Sequence, residues 1–397
     1  MIMPHDGGPS DPKSQPEAAL REGPRAPVSA DLKPGIAIAT DRRPESGRRI
    51  RVGIVGATGY VGAELVRLLA RHPYVEIVGL TARGRSNEAI ATTHPHLATT
   101  DLAIDAATPD NVDALFLALP HGTAAGIVPD IASAGTAIID LGPDFRLRDP
   151  GDYPRWYGFD HPTPELLDDA VYGLPELHRA ELQALRLAPR AIVGSPGCYP
   201  TTTLLALAPL ARAGLIGDLV VDAKSGVSGA GRDPKPDMMF GEVNESVKAY
   251  GVGGHRHVAE IEQELAWLGG STGVANPGAA GVDFLPHLIP MTRGILAACH
   301  VRPTRPVDQD ELDALYADAY DDEPFVSVVG QPPATKHVTG SNHVRVHVSA
   351  DARTGRVLAI GVLDNLVKGA AGQAIQAFNI VHGLDETAGL DQLPLAP

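Results

Sequence analysis

Cysteine is nearly missing from this chain: Cys198 and Cys299 are the only thiols in 397 residues. Two are too few for a disulfide scaffold or a structural zinc site, and they suit a reducing, cytoplasmic setting. Positive charge is also in short supply, with 33 Lys and Arg against 48 Asp and Glu and a formal net charge of -15. A nucleic acid backbone would be repelled, and no local basic stripe offsets this, so a nucleic-acid partner is not expected. No apolar run approaches the roughly 18 residues of a membrane helix, and the first thirty residues lack the basic-then-apolar order of a secretion signal. A repeat or heptad array is absent too, which removes solenoid and coiled-coil architectures.

What is present is ordinary globular material, 44% hydrophobic, of a length that predicts two domains. Met1 to Arg48, rich in Pro, Gly, Ser and mixed charge, offers too little apolar surface to offset the entropy of ordering. It reads as a disordered tail, or as sequence upstream of the true start. At Ile50 a β-branched run to Val55 gives way to glycines and then to Val61, Leu65, Leu68 and Leu69 at helical spacing. Strand-like runs follow at Val75 to Leu80, Ala114 to Leu119, Ala137 to Leu141 and Ala191 to Gly194, with a helix predicted over Gly122 to Ala134. The pattern predicts an α/β fold with a doubly wound parallel sheet. Beyond it, Leu219 to Ala223, Gly294 to Val301, Val344 to Ser349 and Val357 to Leu363 predict a second, mostly antiparallel α+β domain. A last helix, Leu366 to Val381, carries small residues on its early turns and is expected to pack near the cofactor.

Three local patterns carry chemistry. Gly56, Gly59 and Gly62 lie where strand hands over to helix, leaving backbone N–H groups open to a pyrophosphate at the helix dipole. No acidic residue closes the second strand to hold a ribose hydroxyl; Arg83 and Arg85 follow instead and favour the extra phosphate of NADP. Cys198 follows a Pro-Gly loop at a predicted helix start, a setting that exposes a thiol and favours its thiolate, whereas Cys299 reads as an inert strand residue. His255 and His257, spaced to share one side of an extended chain, offer an acid/base partner. Zinc is the competing use of that pair, but no further ligands stand at a familiar spacing, so no metal is expected.

Taken together, Gly56 to Gly62, Gly173-Leu174-Pro175-Glu176, Gly197 to Thr201, Lys224 to Arg232, His255-Arg256-His257 and Asp364 to Gln373 resemble the N-acetyl-gamma-glutamyl-phosphate reductase family, relatives of aspartate-semialdehyde dehydrogenase. The resemblance covers Arg49 to about Gly383. It implies a Rossmann-type NADP-binding domain over 49–197, a catalytic and oligomerisation domain over 198–363, and a C-terminal segment, 364–397, returning to the first domain. By resemblance Cys198 is the nucleophile and His255 the general acid/base, with His257 the runner-up. Cofactor contacts are expected at Gly56, Thr58, Gly59, Tyr60, Val61, Arg83, Ser86, Pro120 and Asn365. Substrate contacts are expected at Arg146, Lys224, Ser225, Tyr250 and His257, and Arg232 is a further candidate cation. Departures from the family pattern are Val258-Ala259 before Glu260 and Gly142-Pro143 before Asp144. The implied reaction is NADPH-dependent reduction of an acyl phosphate to a semialdehyde through a Cys thioester, by a homodimer or homotetramer in arginine biosynthesis. An aminoadipyl or aspartyl phosphate is the alternative substrate, and a nucleotide-binding module without chemistry is a second class.

Overall fold

The structure is a computed structural model that describes residues 47–131, 135–270 and 281–395. The expected tail therefore lies outside the described residues except for Gly47 and Arg48, and Arg48 is already tied to the fold by two hydrogen bonds to Asp113, at 2.6 and 2.8 Å.

The first sheet contains β1 (Ile50–Val55), β2 (Val75–Thr81), β3 (Glu88–Ala89), β4 (Ala103–Asp105), β5 (Ala114–Leu117), β6 (Ala137–Asp140), β7 (Ala170–Tyr172) and β8 (Ala191–Gly194). Their order is β3-β4-β2-β1-β5-β6-β8-β7, parallel throughout except between β3 and β4. The central strands are apolar on both faces because helices cover both sides, and a parallel sheet requires such cover. Helix α1 (Tyr60–Leu69) follows the glycine turn, and α2 (Ala124–Ile131) and α3 (Pro175–Ala184) come later on the chain. The strand order reverses between β1 and β5, the place where such sheets open a crevice for ligands.

The second sheet has β9 (Ile216–Ser225), β10 (Lys248–Ala249), β11 (Val282–Leu288), β12 (Ile295–Pro303), β13 (Val326–Val328), β14 (Val344–Asp351) and β15 (Arg356–Leu363) in the order β10-β11-β9-β12-β15-β14-β13. The sheet is mostly antiparallel, as expected, with two parallel pairs that make it mixed: β11 with β9, and β13 with β14. Both added strands are ones that a Pro or a short length hides in the sequence, Pro286 inside β11 and three residues in β13.

Helix α4 (Cys198–Arg212) packs on this sheet beside α5 (His257–Leu268) and α6 (Gln309–Tyr320), and every residue from Tyr199 to Ala211 is buried. Pro209 lacks the N–H that would reach the Leu205 carbonyl. Tyr320 fills the gap, its hydroxyl donating to Leu205 O at 2.6 Å, while Tyr316 donates to Ala206 O at 2.6 Å. The last helix, α7 (Gly372–Val381), is buried on all sides in the core of the first sheet, together with α1. Ahead of it Val367–Ala371 forms a π-turn in which Gly369 N–H reaches Asp364 O.

Candidate active site

The glycine turn meets its sequence reading in detail. Thr81 O accepts from both Gly56 and Ala57 N–H, which pins the turn to the end of β2. A Cβ at Gly62 would fall 2.3 Å from Gly56 O, so that glycine serves close helix-turn packing. Gly59 differs: a Cβ there would meet only Gly56 O, at an ordinary 3.6 Å, so its openness faces outward. The N–H groups of Tyr60, Val61 and Gly62 lack intrahelical acceptors by helix geometry, which leaves a donor cradle suited to a pyrophosphate. Arg83 and Ser86 stand exposed on the turn beyond β2, and Arg83 has no ion-pair partner among the described residues, whereas Arg85 binds Thr93 at 2.8 Å. Pro120, exposed beyond β5, lies on the same edge of the sheet.

His94 escapes sequence reasoning, which treats His94-Pro95-His96 as loop. The structure buries it with Nε2 3.0 Å from Thr58 O, bracing the turn. Burial lowers its pKa, and Arg232 is near enough to lower it further. Arg232 itself is exposed, on the loop between cleft-lining Ala230 and Lys235.

Cys198 is the first residue of α4, half-buried in a cleft of about 490 Å³ lined also by Tyr199, Ser225, Tyr250, His255 and His257. Gly369 of the π-turn stands behind it; a Cβ there would lie 2.8 Å from Cys198 Cβ. Cys299, by contrast, is wholly buried in β12, as expected of an inert residue.

Burial works against the thiolate that the helix start favours. Burial pushes the Cys198 thiol up to about 11, against the pull of the Tyr199 N–H and the Arg146 guanidinium. Burial, then the Arg256 cation, lowers His255 to about 4, and burial followed by His255, Arg146 and Arg256 holds His257 well below its ordinary range. Burial thus disfavours charge on the thiol and on both imidazoles alike. The His257 N–H donates to His255 Nδ1 at 3.2 Å, so a neutral His255 carries its proton on Nε2. Tyr250 donates to Tyr199 Oη at 3.0 Å, and both rings pack edge-on against His255. His257 Nε2 lies 2.5 Å from where a Gly197 Cβ would be, hard against the nucleophile loop.

Three expected ligand residues are placed elsewhere. Lys224 does not line the cleft: strand alternation sends Ser225 into it and Lys224 to the opposite face, where it pairs with Asp222 at 2.5 Å. Arg146 lies near Cys198 with each guanidinium nitrogen donating within the protein, Nε to Ser195 O at 2.7 Å, Nη2 to Leu141 O at 2.9 Å and Nη1 to Glu260 at 3.0 Å. Asn365 is buried, accepting from Gly294 N–H at 2.7 Å and donating to Ser228 at 2.9 Å, so it braces the loop after β9. The cations that do line the cleft are Arg256 and Lys235, both exposed. Lys235 begins an arm, 235–254, that walls the cleft and exposes Met239, Phe240, Val247 and Val252, held to the body through the β10–β11 pairing. Among the described residues no three His, Cys, Asp or Glu side chains gather as metal ligands.

Comparisons with known proteins fit this geometry. Residues 51–185 match the family model of the semialdehyde dehydrogenase NAD binding domain, and residues 198–365 that of the semialdehyde dehydrogenase dimerisation domain. The N-acetyl-gamma-glutamyl-phosphate reductase of Desulforudis audaxviator is 51% identical over 350 residues, 86% of this chain and 98% of that protein. The enzyme of that name from Rhodospirillum rubrum is 49% identical over 361 residues, 88% of this chain and 99% of that protein. Among solved structures, aspartate semialdehyde dehydrogenase with NADP from Candida albicans superposes with a TM-score of 0.63 at 16% identity, covering 87% of this chain and all of that one. Aspartate semialdehyde dehydrogenase II complexed with ASA from Vibrio cholerae gives 0.62 at 20%, covering 84% and 98%. At such identities the likeness is one of fold.

Proposed function

The chain belongs to the N-acetyl-gamma-glutamyl-phosphate reductase family, and from that premise we propose that it reduces N-acetyl-L-glutamyl 5-phosphate to N-acetyl-L-glutamate 5-semialdehyde with NADPH, releasing phosphate, in arginine biosynthesis. The observation that carries the reading is a half-buried thiol at a helix N-terminus, in one cleft with two imidazoles and two exposed cations. A dianionic phosphate entering between Arg256 and Lys235 favours protonated histidine, and a base so strengthened helps the Cys198 thiol ionise. The Cys198 thiol passes its proton to the His255/His257 pair as its sulfur attacks the acyl carbon, the carbon–oxygen bond to phosphate breaks, and a thioester remains on the chain beside an imidazolium. NADPH, when bound, supplies the hydride. His255 Nε2–H stands ready to protonate the oxygen of the resulting tetrahedral adduct, and cleavage of the carbon–sulfur bond frees the aldehyde and restores Cys198.

The residues suited to the cofactor are the N–H cradle at Thr58 to Val61, with Gly56 and Gly59, and Arg83 and Ser86 for the 2'-phosphate. Arg83, charged and unpaired at the end of β2, supports NADP over NAD. The proposed division is 49–197 for the cofactor, 198–363 for catalysis and assembly, and 364–397 for the returning helix. Assembly into a homodimer or homotetramer is proposed through the face of the second sheet that α4 does not cover, where Asp222, Lys224, His287 and Leu296 stand.

Phosphate-dependent reduction of NADP+ with N-acetylglutamate 5-semialdehyde, measured for the wild type and Cys198→Ala with aspartate semialdehyde as competitor, tests this. Activity that prefers the acetylated aldehyde and vanishes with the thiol is expected. Turnover retained in Cys198→Ala overturns the covalent route, and preference for another semialdehyde moves the enzyme to the aspartyl or aminoadipyl substrate.

A further inference from the structure

Glu260 is a fully buried carboxylate in the first turn of α5, one helical turn from His257. Its two oxygens are shared among four donors from four different parts of the fold. Oε2 accepts from Gly197 N–H and from the Tyr172 hydroxyl, each at 2.9 Å. Oε1 accepts from Arg146 at 3.0 Å and from the Tyr157 hydroxyl at 3.4 Å. Gly197 is the N-cap of α4, the residue immediately before Cys198. The backbone amide that precedes the nucleophile is therefore held by a charged acceptor rather than by a solvent-exposed cap.

A lone buried carboxylate this close to a thiol would oppose its ionisation, and a lone buried guanidinium would promote it. Here they form one ion pair, so the nucleophile faces a nearly cancelled charge. We propose that Glu260 is a positioning residue that, paired with Arg146, fixes the Gly197–Cys198 backbone and sets the charge balance in which the Cys198 thiolate forms. This rests on Cys198 being the nucleophile. It goes further, because it assigns Arg146 and Glu260 a role behind the sulfur and no contact with substrate.

The groups that face Cys198 are Arg146 from the loop after β6, Glu260 and His257 from α5, His255 and Arg256 from the loop before it, and Tyr199 and Tyr250. From the C-terminal side Gly369 stands against it, and the neighbouring Lys368 turns away to Glu176. Among these, Arg146 and Glu260 are the two buried groups of full and opposite charge, which makes opposite responses the signature to seek.

The experiment is the pH dependence of iodoacetamide alkylation of Cys198 in the full chain, with Cys198→Ala as the blank. Glu260→Gln keeps an acceptor for Gly197 and removes the charge, so the midpoint should fall by about one pH unit, an alkylation rate about tenfold higher well below the midpoint. Arg146→Met should move the midpoint upward, and the double variant should return it to near the wild type. Tyr172→Phe, which removes a single donor, keeps the test available if a charge variant fails to fold; the less stabilised carboxylate should raise the midpoint slightly. In turnover, Glu260→Gln should lower kcat with KM little changed. Both single variants shifting in the same direction, or Glu260→Gln and Tyr172→Phe leaving the midpoint unmoved, overturns the proposal. Because alkylation needs no substrate, that failure is distinct from turnover surviving in Cys198→Ala.

Discussion

Lys224 and Arg256 show how one residue's position on an element decides whether its charge can serve a ligand. Both are cations near the catalytic sequence motifs, yet alternation along β9 turns Lys224 away while the loop before α5 brings Arg256 to the cleft. Lys224→Ala should leave KM for the acyl phosphate within about twofold, since its side chain lies on the face of the sheet turned away from the cleft. Arg256→Gln should raise that KM by about tenfold or more, as loss of a charge-assisted contact does. Steady-state kinetics of the pair checks both. Arg83 is tested in the same way on the other ligand: Arg83→Ala should raise KM for NADPH by about tenfold and leave NADH nearly unaffected, because only the former has a phosphate for the guanidinium.

At the scale of elements, the motif residues are tied together by buried polar contacts that single segments of sequence do not announce. Lys368 in the π-turn has no exposed surface, and its ammonium lies 2.6 Å from Glu176 at the start of α3 and 2.7 Å from Gln376 in α7. Burial pushes the Glu176 carboxyl up, but the Lys368 charge outweighs it and the group stays below its ordinary range. Lys368→Met should cost about 3–5 kcal/mol, because the carboxylate is left buried without its partner. Denaturant unfolding of the variant beside Lys368→Met/Glu176→Leu separates that penalty from the worth of the pair, since the double variant should recover most of the loss. The same distinction explains what was legible. The strand, glycine turn, helix sequence from Ile50 to Leu69 and the thiol at a helix start follow from periodicity and cap chemistry alone. The places of Lys224, Arg146 and Asn365 do not, since each depends on which face a strand turns or which distant carbonyl claims a donor. His94 hid for the same reason, as its partner, Thr58 O, lies 36 residues earlier.

Across the whole molecule, buried imidazoles govern the response to acid. His72, bonded to Asn379 at 3.0 Å under α7, and His382 at the end of that helix are both lowered to about 4, chiefly by burial. A depressed folded-state value means that the unfolded chain binds more protons below about 6.5, so stability present at neutral pH is lost as pH falls from 6.5 towards 4. At pH 5 His72 alone accounts for about 2 kcal/mol. Asp140, whose burial and proximity to Asp144 push it up to about 7, works in the opposite sense over the same interval and offsets part of this. Tm should therefore drop between pH 7 and pH 5, and His72→Gln should flatten the drop. A second tie runs between the two sheets' layers: Arg293, in the loop before β12, holds Glu64 of α1 through bonds of 3.0 and 3.1 Å and Asp364 at 3.5 Å. Bonds from Gly294 to Asn365 and from Asn365 to Ser228 continue this tie from α1 to the loop after β9.

The arm 235–254 stands apart from all of this. It contributes Lys235, Met238 and Tyr250 to the cleft, yet its apolar side chains at Met239, Phe240, Val247 and Val252 contribute little to either core. Surface substitutions away from buried features usually change stability by less than about 0.5 kcal/mol. Cys198, by contrast, begins a helix whose residues from Tyr199 to Ala211 are all buried. One cleft is thus walled on one side by a deeply packed helix start and on the other by a lightly packed arm. Substitutions at Met239, Phe240, Val247 and Val252 therefore sample the outer surface of the arm while Lys235 and Tyr250 keep their places in the cleft.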